Sequence, residues 1–252
     1  MANEMKTNRL YNELAWIWPL WGDAHEYATF CEGMVGLIYR YARRDVKTLL
    51  NLGCGGGKNV FNLKERFAVT GLDLSKAMLE NAHALNPECH FIIADIRDFS
   101  LSQKFDAILV DDGIAYMTSE AELAAVFDCA YAHLSPGGVM LVGPDDTTET
   151  FVQNKSVVTQ ANKDTKHNDT DVVIVENRYD PDPKDSVIDA LMIFIIRENG
   201  KLRIEYDMHT LGLFPPATWK RLLRKSGFET HEAEYDENGR VSIVFACVKP
   251  IE

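Results

Sequence analysis

Short apolar runs alternate along the first 145 residues with stretches in which apolar side chains recur every three or four positions, the pattern of strands separated by helices. Five strands are expected: the run before Gly53, then Phe67 to Asp73, Cys89 to Asp95, Phe105 to Asp112 and Leu134 to Val142. Ser75 is a natural N-cap for a helix over Lys76 to Asn86, whose Met78, Leu79, Ala82 and Leu85 share a face. Ser119 and Glu122 form a capping box ahead of Leu123, Val126, Phe127, Ala130 and Leu134. Near the end, Pro216 opens a helix through Ser226, Gly227 closes it, and two strands follow at Glu229 to Tyr235 and Val241 to Val248. Strand and helix in alternation predict an α/β fold with a doubly wound, mostly parallel sheet.

Residues 145–214 break that alternation. Val172 to Tyr179, Ser186 to Arg197 and Leu202 to His209 are three β-rich runs parted by turn signals, and they predict an antiparallel meander inserted after the fifth strand. Such an insertion sits above the carboxyl ends of the parallel strands, where ligands of open α/β sheets bind, so a substrate lid is expected; a dimerisation surface is the competing reading. Gln160 to Asp171 is polar without periodicity and is expected to be a mobile loop. The chain thus divides into an N-terminal helical segment (1–44), a ligand-binding core (45–144), the insertion (145–214) and a closing helix and strands (215–252).

The stretch Lys47 to Lys58, KTLLNLGCGGGK, carries the first chemical signal. Glycine lacks Cβ, so Gly53, Gly55 and Gly57 let a ligand lie against bare backbone at a helix N-terminus. A dinucleotide fingerprint needs a glycine at its sixth position, where this chain has Lys58, and a nicotinamide cofactor is therefore disfavoured. Asp73, at the carboxyl end of the second strand, is placed to accept the hydroxyls of a ribose.

Gly-x-Gly-x-Gly after a strand, together with acids ending the second, third and fourth strands, resembles the class I S-adenosylmethionine-dependent methyltransferases over residues 45–145. The resemblance implies seven strands in the core sheet, S-adenosyl-L-methionine as cofactor and a small-molecule methyl acceptor under the lid. It implies a cofactor site of Tyr11, Asn51, Gly53, Cys54, Gly55, Gly57, Asp73, Leu74, Asp95, Ile96 and Asp111, with Asp95 facing the adenine amino group and Ile96 its ring. Asn51 departs from the family, which usually has an acid there, and Trp18 and Pro19 stand where a tyrosine and an acid are usual. Among the tryptophans, Trp16 and Trp21 are expected to pack the N-terminal helix onto the sheet.

Methyl transfer from a sulfonium is an in-line displacement. Positioning, worth about 7–11 kcal/mol, outweighs the 10²–10⁴-fold of a single general base. The acceptor belongs beyond the fourth strand, beside Asp111, Asp112 and Tyr116, with His209 reaching in from the lid. The paired acids favour an amine nitrogen over oxygen; an O-methyltransferase on a small molecule and a cofactor-binding regulator without turnover are the alternatives. Arg178 and Arg203 are expected to pair with acids.

A net charge of −12 and the lack of a concentrated basic face argue against nucleic acid. Five cysteines without a CxxC pair indicate neither a disulfide framework nor a metal site. No apolar run reaches the roughly 18 residues of a membrane span, and a cytoplasmic monomer or homodimer is expected.

Overall fold

The computed structural model describes residues 8–110, 112–161, 170–237 and 240–251. Its main sheet is built on β1 (Thr48–Leu52), β2 (Ala68–Asp73), β3 (His90–Ile93), β4 (Phe105–Val110) and β5 (Leu134–Val142). Two further strands, β10 (Glu229–Glu237) and β11 (Arg240–Val248), complete it in the order β10-β11-β5-β4-β1-β2-β3. The five core strands run parallel, while β11 is antiparallel to β5 and β10 to β11. This is the mostly parallel α/β sheet that the alternation predicts, with the seven strands that the resemblance implies.

Every residue of β4 is buried, because helices cover both faces of the sheet. Successive residues point to opposite sides. Leu50, Ile108 and Met140 pack with Phe127 and Trp219, under α4 (Glu120–His133) and α5 (Pro216–Lys225). Leu49, Leu109 and Leu141 pack with Met34, Ile38 and Leu63, under α1 (Ala28–Tyr41) and α2 (Lys58–Leu63). The expected caps are present: Ser75 accepts from the Met78 N–H at the start of α3 (Lys76–Leu85), and Ser119 from the Glu122 N–H. Glu122 turns back to the Thr118 N–H, one residue before the cap, so the box is closed one position early.

The insertion is an antiparallel sheet in sequential order, as expected, but with four strands rather than three. To β7 (Thr170–Tyr179), β8 (Val187–Glu198) and β9 (Lys201–Gly212) it adds the edge strand β6 (Lys155–Ala161). One face packs Val172, Ile174, Phe194 and Ile196 against Leu10, Leu14, Ile17 and Leu20. The opposite face leaves Val158, Ile204 and Tyr206 exposed. Residues 162–169 of the predicted mobile loop lie outside the described residues.

The N-terminal segment differs from the expectation. Before α1 it forms three short 3₁₀ turns, Arg9–Tyr11, Ala15–Leu20 and Ala24–Tyr27, and in the second Pro19 lacks the backbone donor that a continuing helix would need. Apart from Trp18, which lies over the glycine loop of the core, its packed apolar side chains dock on the inserted sheet, and Trp16 is exposed beneath the Arg203 guanidinium instead of packed. Trp21 does pack at this contact. Among the described residues no helix is long and apolar enough to cross a membrane.

Candidate functional site

The three glycines after β1 all take left-handed backbone, with φ of 71° at Gly53, 50° at Gly55 and 79° at Gly57. A Cβ at Gly53 would come 3.2 Å from the Cα of Gly113, so the loop also touches the turn after β4. The N–H groups are less bare than the sequence suggests. Those of Gly53 and Cys54 donate to the Leu72 carbonyl at 2.8 and 3.0 Å, and that of Gly55 donates to Asp73 Oδ2 at 2.8 Å. Asp73 therefore fixes the loop through Oδ2, while its Oδ1 accepts the Ser75 N–H at 2.8 Å. Burial pushes its carboxyl above the ordinary range, opposed by the N–H groups of Ser75, Gly55 and Leu74.

Other predicted contacts sort by where their side chains go. Leu74 is exposed beside Asp73, whereas Cys54 points into the core against Gly71 and brings only its backbone to the loop. Asn51 is fully buried and donates to the Leu109 carbonyl at 3.4 Å, tying β1 to β4. Asp95 is gripped by Arg97, whose Nη2 lies 2.7 Å from Oδ2, and this pairing holds the carboxyl below its usual range. Ile96 is buried with Phe99, its Cδ1 on the side of Gly113. Asp111 lies outside the described residues.

A lysine and a tryptophan close the loop from above. Lys58 is buried at the start of α2 and donates to the main-chain oxygens of Trp18, at 3.0 Å, and Trp21. Burial pushes its ammonium down to about 8, with Glu26 and Asp23 opposing. The Trp18 ring covers Gly55 and Gly56, and its Nε1 is a buried donor that meets no acceptor among the described residues. Such an orphan suits a ligand carrying an anionic group over the glycine loop.

Beyond β4 the structure joins three predicted residues in one chain. The Tyr11 hydroxyl lies 2.7 Å from that of Tyr116, and the Tyr116 hydroxyl 2.8 Å from Nδ1 of His209. The sequence missed the next member. Asp207, two residues before His209 on β9, is fully buried, accepts the Leu10 N–H at 2.8 Å and stands 3.0 Å from His209 Nε2. Burial raises its carboxyl, but His209 and the N–H groups of Leu10 and Arg9 outweigh this and hold it below the usual range. Burial raises both tyrosine hydroxyls.

Asp112, just after β4, and Asp145, just after β5, line a cavity of about 170 Å³ with Phe30, Met34 and Tyr235. Burial and the Asp112 charge push Asp145 up to about 7. Arg178 holds Asp146 at 2.7 Å, Glu176 at 2.6 Å and Asp145 at 3.4 Å, while Arg203 pairs with Glu205 at 3.0 Å, so both arginines meet acids as expected. Among the described residues no cluster of acids, histidines and cysteines is arranged to hold a metal.

Comparison with known proteins places this geometry. The dTDP-3-amino-3,4,6-trideoxy-alpha-D-glucopyranose N,N-dimethyltransferase of Streptomyces venezuelae is 27% identical over 223 residues, 87% of this chain and 90% of that protein. The crystal structure of Streptomyces venezuelae DesVI superposes with a TM-score of 0.79 at 24% identity, covering 98% of this chain and 100% of the other. That of CalS10, an amino pentose methyltransferase from Micromonospora echinaspora with S-adenosylmethionine bound, gives 0.74 at 23% identity over 97% and 99%. A family profile described as a methyltransferase domain matches residues 49–138. It begins on β1, ends within β5 and so spans the strands that carry Gly53, Asp73 and Asp95, and on that coincidence the chain is a class I S-adenosylmethionine-dependent methyltransferase.

Proposed function

We propose that the enzyme methylates the amine of a small acceptor of the amino-sugar class, the class named for its Streptomyces relative. The observation that carries this reading is the pair Asp112 and Asp145, brought from two strand ends to one cavity walled by Phe30 and Tyr235. Two carboxylates beside aromatic rings attract an ammonium and disfavour an anionic acceptor.

S-adenosylmethionine, when bound, supplies a methyl group activated on a sulfonium. The glycine loop and Asp73 would hold its ribose side, Asp95, Ile96 and Leu74 its adenine, and Trp18 Nε1 its carboxylate. In this reading Asn51 supports the strand ends, and Asp111 belongs with the acceptor acids by its place in the sequence. Asp112 and Asp145 draw the ammonium in, while Tyr11, Tyr116 and His209 form a hydrogen-bonded chain between the N-terminal segment, the turn after β4 and the inserted sheet. The inserted sheet and the N-terminal segment form the acceptor side together with Asp112, while Trp18 joins the rest of residues 45–144 on the cofactor side.

The test is a panel of amino-sugar nucleotides, each paired with its hydroxyl and carboxylate analogues, incubated with the full chain and S-adenosylmethionine and read by mass spectrometry. Methylation of amines alone is expected. Methylation confined to the oxygen analogues would replace the reading with an O-methyltransferase, and cofactor binding without any turnover would make the chain a binding module.

A further inference from the structure

We infer that Tyr11, Tyr116 and His209, with Asp207 behind them, form a proton relay that takes a proton from the acceptor's ammonium before the methyl group moves. The inference rests on the amine reading. At neutral pH an alkylamine is mostly protonated and lacks the lone pair that the displacement needs, so a proton has to leave. Asp112 and Asp145 stabilise the ammonium and thereby oppose its loss.

The geometry supplies a path. Tyr11 bridges two strand ends: its carbonyl accepts the Ser75 hydroxyl beside Asp73 at the end of β2, and its ring packs edge-on against Tyr116 in the turn after β4, with centroids 5.6 Å apart. From there the contacts run 2.7 Å to Tyr116, 2.8 Å to His209 Nδ1 and, across the ring, 3.0 Å from Nε2 to Asp207. Nε2 faces the Asp207 carboxylate at 3.0 Å without hydrogen-bond alignment, so the carboxylate acts on the ring through its charge, and the relay requires the tautomer in which the Nδ1 lone pair accepts from Tyr116. Asp207 and His209 are both fully buried, and Asp207 is held by the Leu10 N–H. The residues across β8 are Ala190 and Met192, so no other titratable group faces the imidazole from that strand.

In the step, the ammonium gives a proton to Tyr11 Oη as the Tyr11 hydroxyl proton passes to Tyr116 and that of Tyr116 to Nδ1 of His209. The products are a neutral amine, two neutral tyrosines and an imidazolium beside the Asp207 carboxylate. After product leaves, the imidazolium returns its proton to water by the same route. No tyrosinate forms, which suits two hydroxyls whose ionisation burial disfavours. Tyr11 touches the acceptor; Tyr116 and His209 conduct; Asp207 is a positioning residue that stabilises the imidazolium, as the buried acid does in Ser-His-Asp sites.

The test uses Tyr116→Phe and Asp207→Asn in the full chain. Each should lower kcat by about 10²- to 10⁴-fold at neutral pH, the range of general acid–base catalysis, with unchanged affinity for S-adenosylhomocysteine. The deficit should vanish as pH rises past the amine's own pKa, because the free amine no longer needs the relay. A loss equal at every pH, or no loss, overturns the proposal. Nitrogen-15 NMR of His209 decides independently of turnover: Nε2 protonated and Nδ1 bare is expected, and the reverse overturns it. If no amine is methylated at all, the functional reading fails and this spectrum alone judges the relay.

Discussion

Trp18 lies so close over Gly56 that a Cβ there would stand 2.0 Å from the indole Cδ1 and 2.2 Å from Nε1. Gly56 is not among the residues with positive φ, so an alanine meets no backbone strain and acts only through this clash. Gly56→Ala should lift the Trp18 turn off the loop at a cost of about 1–3 kcal/mol, the range for overpacking. Altered tryptophan fluorescence and faster proteolysis before α1 are expected, with the core still cooperative in denaturant. Unchanged fluorescence would mean that the ring does not depend on the missing Cβ.

Lys58 gives a pH signature. Its ammonium falls from 10.5 to about 8 on folding, so between those values the folded chain binds fewer protons than the unfolded one. Stability from this group is complete above the unfolded value and is lost as pH falls toward 8. In Lys58→Met the contribution to the slope over pH 8 to 10 should disappear, measured by urea denaturation against wild type. Identical slopes would contradict the buried ammonium.

For Asp73 two variants separate two roles. Asp73→Ala loses the Gly55 and Ser75 N–H contacts as well as the ribose acceptor, and should weaken S-adenosylhomocysteine by about 1.5–3 kcal/mol or more in calorimetry. Asp73→Asn keeps one acceptor oxygen and should fall between wild type and alanine. Wild-type affinity in both would remove the ribose assignment.

Asp145 titrates upward although Arg178 stands 3.4 Å away, because burial and the Asp112 charge outweigh that pairing. With its folded value near 7 and its unfolded value near 3.8, its contribution to stability is fullest below 3.8 and is lost as pH climbs toward 7. Asp145→Asn should therefore be more stable than wild type at pH 8 and show no such gain at pH 3.5. Wild type should also release a proton on binding a cationic amine near pH 7, seen as buffer-dependent heat that the variant lacks.

The core strands were legible because Leu49, Leu50, Ile108 and Leu109 must be apolar on both faces, leaving unbroken runs. Strand β6 was not, because Val157 and Val158 are consecutive and both exposed on an edge, which erases any period of two. Asp207 hid for a related reason. In Glu205-Tyr206-Asp207-Met208-His209 the alternation puts polar groups on one face, which reads as solvent, yet Asp207 and His209 are fully buried while Tyr206 is exposed. The inversion arises because the buried face meets the backbone of Leu10 and the hydroxyl of Tyr116, polar partners from distant parts of the chain that no local pattern announces. Asp73 and the glycine loop, by contrast, are adjacent through β-sheet register and could be paired from spacing alone.

Residues 9–21 make one stitch through both sheets: Arg9 and Leu10 bond Glu205 and Asp207 on the insertion, while Trp18 and Trp21 offer their carbonyls to Lys58 on the core. Trimming the chain ahead of α1 to obtain a tidier crystallisation fragment would strip a buried carboxylate and a buried ammonium of their partners in the same cut. Residues 9–21 are the tie between the two sheets.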